Sequence, residues 1–268
     1  MTDKENILIV VQARTGSTRL PGKTLMPILG KTVLFRMMER LKQIKHPVQL
    51  VIATSTEAAD DAIEKEAENI GLPCFRGSLN NLLDRHYQAG RFFNANVVIK
   101  IPSDCPLIDP RIVDEVIGFY LENKSDFDFV SNLHPASWPD GNDVELMTMA
   151  CLEKTWQEAK RPMELEHTTP YIWENPDKFK IANLEMPGGK DLSKSHRFTI
   201  DYVEDYLFIK KVFEELYPAN PAFSCADILE LLHQRPDIYE INAKHAGEYW
   251  YRHHLDELKT VDYVSRET

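Results

Sequence analysis

One stretch, Gln12-Ala-Arg-Thr-Gly-Ser-Thr-Arg-Leu-Pro-Gly-Lys23, carries the densest chemistry in the chain. Arg14, Arg19 and Lys23 place three cations within ten residues, beside Gly16 and Gly22. Glycines let backbone N–H groups turn toward a bound anion, so the loop reads as a polyphosphate cradle rather than a solvated basic loop. It is neither a P-loop nor a dinucleotide fingerprint, because the glycine spacing fits neither pattern. A second cluster is Ile101-Pro-Ser-Asp-Cys-Pro-Leu-Ile-Asp109-Pro110. Asp104 there suits a hard cation such as Mg²⁺, which takes one or two carboxylates plus substrate phosphates. Asp109, just before Pro110, reads as a helix N-cap. The third is Phe198-Thr-Ile-Asp-Tyr-Val-Glu-Asp205. Two readings of Asp201 stand side by side: a second metal ligand, or a helix cap with Glu204 as its capping-box partner.

These clusters need elements that hold them together. Ile7–Val11 is a short β-branched apolar run, read as a strand buried on both faces. Gln49–Ala53, Cys74–Phe75 and Val97–Ile101 read as further strands. Helical periodicity covers 32–44, 57–70, 82–93 and 111–123, and Gly71 closes the second of these. This rhythm predicts an α/β fold with a mostly parallel sheet and helices on both faces. In such a sheet, ligands bind beyond the carboxyl ends of the strands, where the basic loop and Asp104 both lie. Strands are further expected at 126–132, 143–149, 179–186 (an antiparallel excursion) and 198–201, and helices at 151–160, 162–173, 204–216 and 224–235. The whole chain, 1–268, reads as one domain with an insertion, dimerisation or acceptor region at about 130–195. The aromatic segment 249–268 is expected to pack on the domain or on a second subunit.

Composition narrows the function classes. The 268 residues carry a net charge of −11, which argues against a nucleic-acid binder held by phosphate neutralisation. No stretch approaches the ~20 apolar residues of a membrane span. The N-terminal apolar run is shorter than the roughly 7–15 residues of a signal peptide's apolar region, so a cytoplasmic protein is expected. Cys74, Cys105, Cys151 and Cys225 form no CxxC pair, which leaves neither zinc spacing nor a disulfide framework. Cys105 reads as a small packing residue. His196 and the His253-His254 pair read as surface residues.

The combination of QARTGSTRLPGK with Ala53-Thr54-Ser55, Phe75-Arg76-Gly77-Ser78, SDCPLIDP and FTIDYVED resembles the spore-coat polysaccharide biosynthesis F-type cytidylyltransferases, which are similar to CMP-sialate and CMP-Kdo synthetases. The likeness covers about residues 6–242. It implies a Rossmann-like nucleotide-diphospho-sugar transferase fold, a three-layer sandwich of the glycosyltransferase-A kind. It also implies a reaction: a sugar hydroxyl, of an acidic sugar by this likeness, attacks the α-phosphate of CTP and pyrophosphate leaves. By the same resemblance Arg14, Arg19 and Lys23 hold the triphosphate, with Gly16, Ser17 and Gly22 supplying backbone contacts. Gln12, Ala13, Ala53, Thr54, Ser55, Arg76 and Ser78 surround base or ribose. Asp104 and Asp201 carry Mg²⁺. Gly141, Asn142, Glu145, His167 and Arg197 form the acceptor side, and a homodimer is implied. Two of these keep a second reading from the residues alone: His167 as a buried, hydrogen-bonded histidine, and Arg197 as the salt-bridge partner of a nearby acid. Two other functions are set against this one. A glycosyltransferase of the same fold would use Asp126-Phe-Asp128 as its metal motif, although that motif is poorly placed after a helix. A non-catalytic nucleotide-binding subunit would bind CTP without turnover.

Overall fold

The computed structural model describes residues 5–248 and Leu258. Its centre is β1 (Ile7–Gln12), whose alternate side chains feed two cores. Ile7, Ile9 and Val11 enter one hydrophobic cluster, and Leu8 and Val10 enter the other. This is the period-two alternation of a strand covered on both faces. Parallel neighbours flank it, β2 (Val48–Ser55) on one side and β4 (Val97–Pro102) on the other. β3 (Cys74–Gly77) adds in parallel to β2. Beyond β4 lie β6 (Glu145–Thr148), antiparallel, then β5 (Phe129–Ser131) and β7 (Ile181–Asn183). The sheet order is β3-β2-β1-β4-β6-β5-β7.

Helices α1 (Val33–Leu41), α2 (Asp61–Ile70) and α4 (Pro110–Glu122) cover the first face. Helices α3 (Leu82–Phe92) and α5 (Met149–Glu158) cover the second. Their ends follow local chemistry: Thr32, Asn81 and Thr148 each accept a first-turn N–H, and Gly71 ends α2 at φ +74°. Two short helices, α6 (Pro162–His167) and α7 (Pro170–Trp173), stand where one helical patch was expected. Thr168 at φ +74° breaks the run, and Pro170 has no N–H with which to continue it. A third cluster joins α8 (Val203–Leu216), α9 (Cys225–Gln234) and α10 (Pro236–Tyr239) to the loop carrying Leu107.

Two expected elements differ. The strand at 181–183 pairs in parallel with β5, not antiparallel. Residues 198–201 form no strand: the chain bends at Thr199 and Asp201, and Arg197 just before them makes an isolated bridge to Asp140. Phe198 and Ile200 are buried in the third cluster instead. The segment is pinned by single bonds, Phe198 N–H to the Asp140 carbonyl at 2.6 Å and Ile200 N–H to the Asp104 carbonyl at 2.9 Å. Residues 130–195, expected as an insertion, contribute strands to this same sheet. The expected packing of 249–268, and the His253-His254 pair, lie outside the described residues.

Candidate active site

A cleft of about 670 Å³ opens at the carboxyl ends of β1 and β4. The loop after β1 reaches into it through Gly22, whose φ of +70° turns the chain into a short 3-10 turn at Lys23–Leu25. That turn aims the Lys23 ammonium at three oxygens. It donates to Asp104 at 2.8 Å, to Asp201 at 3.0 Å and to the Ile200 carbonyl at 2.5 Å. Burial alone lowers a lysine pKa, but the two aspartates outweigh it and Lys23 is raised. Burial pushes Asp104 up, and Lys23 more than offsets this, so its carboxyl is held below the usual range. The bond from Ile200 to Asp104 thus carries Asp201 to within reach of the basic loop.

Asp201 is also ion-paired to Arg19 at 2.7 Å and to Arg197 at 2.8 Å. It does not cap α8. Tyr202 is the N-cap residue, and Asp205 accepts from the N–H groups of Asp201 and Tyr202 at 2.9 and 3.0 Å. Glu204 instead pairs with Lys244. Asp109 is the N-cap of α4 and also accepts from Cys225 N–H. Cys105 is buried, and burial beside Asp104 pushes its thiol well up, which suits packing rather than nucleophilic attack.

Arg197 has its side chain only 1% exposed. It contacts Asp140 at 2.9 Å, Asp205 at 3.1 Å and the Glu248 carbonyl at 2.9 Å, besides Asp201. Burial opposes its charge, yet the surrounding aspartates raise its pKa. With its guanidinium so committed, Arg197 joins four segments. Gly141 sits where the 140s loop crosses this segment. A Cβ there would lie 2.7 Å from the Phe198 carbonyl carbon, and its φ is +103°. Gly141 therefore lies behind the cleft wall, which explains the residue without a ligand. Asn142 lines the cleft and also ties loops together, its Oδ1 accepting from Asp109 N–H at 3.0 Å.

On the far side of the cleft, Glu145 of β6 faces its register partner Lys100 of β4 in a buried ion pair. Thr169 donates its hydroxyl to Glu145 at 2.5 Å, and His134 Nε2 lies 3.5 Å away. Burial raises Glu145, but Lys100 and His134 outweigh it and hold the carboxyl down to about 2. Asp143 is different. Burial, reinforced by Glu145, pushes it up to about 6 despite an N–H from Gly141. Lys100 lowers it too, but among the described residues Asp143 makes no direct ion pair. His167 also lines this side.

Gln12, Ala13, Arg14, Gly16 and Ser17 line the other side. The remaining residues expected around the nucleotide lie off the cleft. Ala53, Thr54 and Ser55 are fully buried under it. Arg76 is held by Asp61, Glu64 and the carbonyls of Ser55 and Glu57. The Ser78 hydroxyl accepts from Asn81 N–H. Sequence reasoning missed Lys100, Asp140, Asp143, His134 and Arg85, all of which line the cleft. Lys100 had a signal, a lone charge inside an apolar strand. Arg85 is buried, and burial followed by the charge of Arg14 lowers its pKa to about 10. Asp128 of the Asp126-Phe-Asp128 motif accepts from Lys180 N–H, away from the cleft. His196 is half-buried against Phe198 and Tyr239, rather than free on the surface.

The donor set between Asp104 and Asp201 fits a divalent cation. The two carboxylates already share one positive charge, the Lys23 ammonium. Among the described residues no group of three His, Cys, Asp or Glu surrounds one point. Two carboxylates completed by phosphates and waters is the ordinary composition of a Mg²⁺–nucleotide site.

Residues 8–256 match the sequence profile of the cytidylyltransferase family. The chain belongs to that family. As a cytidylyltransferase it is a CTP-dependent nucleotidyltransferase. It is 35% identical to the uncharacterized protein MJ1063 of Methanocaldococcus jannaschii, over 88% of this chain and 94% of that one. It is 32% identical to the spore coat polysaccharide biosynthesis protein SpsF of Bacillus subtilis, over 87% of this chain and 96% of that one. Its fold is that of a cytidylyltransferase from Leptospira borgpetersenii, with a TM-score of 0.83 and 37% identity, covering 88% of this chain and 97% of the other. Among the described residues no helix of this cytidylyltransferase is long and apolar enough to cross a membrane.

Proposed function

We propose that the chain transfers CMP from CTP to a sugar hydroxyl, with release of pyrophosphate, in the making of a surface polysaccharide or related glycan. The observation that carries this reading is the meeting of Lys23 with Asp104 and Asp201, three residues from remote segments, at 2.8 and 3.0 Å. In this reading Arg14, Arg19 and Lys23, with the amides near Gly16, Ser17 and Gly22, hold the triphosphate. Gln12 and Ala13 meet the base. Asp104 and Asp201 hold Mg²⁺, which when bound neutralises charge on the transferring phosphoryl group. Lys23 then exchanges carboxylate partners for phosphate oxygens, and Arg19 stays beside Asp201. The acceptor lies against Glu145, Lys100 and His167, on a wall fixed by Gly141, Asn142 and Arg197. The name of the Bacillus subtilis relative supports a sugar acceptor, and the sequence resemblance supports an acidic one. That resemblance also supports a cytoplasmic homodimer, which light scattering of the purified protein tests.

The deciding experiment incubates the protein with Mg²⁺, each of the four nucleoside triphosphates, and a panel of neutral and acidic sugars, and follows pyrophosphate. Release with CTP and one sugar establishes the transfer and names the acceptor. Calorimetry showing no binding of any nucleotide overturns the reading.

A further inference from the structure

Asp60 is a buried carboxylate outside the cleft, 2% exposed. It stands at the N-cap position of α2, where a carboxylate ordinarily accepts from its own helix, yet its side chain makes no cap bond. It turns instead to the basic loop. Thr15 donates both its backbone N–H, at 2.8 Å, and its hydroxyl, at 2.9 Å, to Asp60 Oδ1. The Ser55 hydroxyl donates to Oδ2 at 2.5 Å and fixes the carboxylate plane. Thr15 is in turn the hub of the loop, since its carbonyl accepts from Ser17 N–H and from Gly22 N–H, both at 3.0 Å. The chain then passes from Gly22 directly into Lys23. A line of hydrogen bonds therefore runs from the end of β2, through Ser55, Asp60 and Thr15, to the residue that sets the direction of Lys23. Among the described residues Asp60 has no ion pair to explain its burial, and charge-assisted bonds of this kind are the strong ones.

We propose that Asp60 is a positioning residue for CTP: through Thr15 it holds the basic loop in the shape that receives the triphosphate, with Ser55 as its brace. The inference rests on the reading that this loop binds the triphosphate. It gives the Ala53-Thr54-Ser55 motif a role at one remove from the nucleotide. Pre-ordering the loop in this way lowers the cost of fixing it when the nucleotide arrives.

The test is calorimetry of CTP binding in Mg²⁺ for the wild type and for Thr15→Ala, Thr15→Ser, Asp60→Asn and Arg14→Met, with a thermal melt of each. Thr15 is on the surface loop, so Thr15→Ala keeps a folded protein even where a change at Asp60 does not. Expected is a loss of CTP affinity of about tenfold for Thr15→Ala, repair by Thr15→Ser, and a smaller loss for Asp60→Asn, which retains one acceptor for Thr15. Unchanged affinity in Thr15→Ala, while Arg14→Met binds weakly, overturns the role of Asp60 alone. A Thr15→Ala loss that Thr15→Ser does not repair also overturns it. Unchanged affinity in both Thr15→Ala and Arg14→Met overturns the reading of the loop itself, and this proposal with it.

Discussion

On the side of the cleft nearest β1, the cations Arg14, Arg19 and Lys23 come from one short loop, and Arg14 has no carboxylate partner among the described residues. On the side nearest β6, the charges come from several separate elements and most are already paired: Glu145 with Lys100, and Asp140 with Arg197. There Arg14 is poised to receive charge from a ligand, while Arg19 and Lys23 are held by Asp104 and Asp201. The second has paired most of its charges internally, Asp143 excepted, and offers a shaped, polar wall. A ligand that brings several negative charges belongs on the first side. One recognised by hydroxyls belongs on the second, where buried groups already fixed by partners can discriminate by hydrogen bonding.

The contrast breaks most visibly at the junction of the two sides. Asp104→Ala removes one of the two carboxylates that share Lys23. It is expected to cut CTP-dependent pyrophosphate release by about a thousandfold, as losing a group aimed at developing charge does, while the circular dichroism spectrum stays that of the wild type. Activity near the wild-type level would take Asp104 out of the metal site. On the paired side the expected damage is structural. Arg197→Met leaves Asp140, Asp201 and Asp205 facing one another in a buried place. Breaking a buried pair from one end costs about 3–5 kcal/mol, to be read from urea denaturation. A variant as stable as the wild type would mean that these carboxylates find other partners.

A smaller effect sharpens the comparison through pH. Asp143 titrates at about 6 in the fold, against about 3.9 in an unfolded chain. The folded state therefore holds a proton that the unfolded state has released, and stability falls as pH rises from about 4 to 6. Asp143→Asn removes that contribution. The difference in unfolding free energy between variant and wild type should shift in the variant's favour across this window, and a constant difference would place Asp143 in contact with water or a cation. The smallest effect is expected at Arg76. Its partners Asp61 and Glu64 are surface groups, and exposed pairs contribute little. Arg76→Ala should leave the dissociation constant of CTP within about twofold of the wild type, whereas a large loss would bring Arg76 into the nucleotide site.

The same contrast explains what the sequence could tell. The βα rhythm of the first half is local, because strands covered on both faces announce themselves as apolar runs. The basic loop, Asp104 and Asp201 were legible because each follows such a run or opens a helix. Residues 198–201 misled, since a short apolar stretch looks like a strand whether a sheet or a helix cluster buries it. Tyr202, with Asp205 accepting its N–H, rather than Asp201, caps α8, a difference of geometry that spacing does not encode. Lys100, Asp140, Asp143 and His134 came to line the cleft only through tertiary folding, and Ser55 is joined to the basic loop only by way of Asp60.

The order in which the chain emerges has a consequence for when it becomes an enzyme. Among the described residues all seven strands of the sheet are in place by Asn183, yet Asp201 and the guanidinium of Arg197 come later. A nascent chain halted between them would own a finished sheet and the whole basic loop, but Lys23 would hold one carboxylate instead of two. The cluster around Lys23 is in this sense completed late: a segment that arrives after the sheet and joins no strand of it latches onto the cleft through an isolated bridge to Asp140 and a bond from Ile200 N–H to the Asp104 carbonyl.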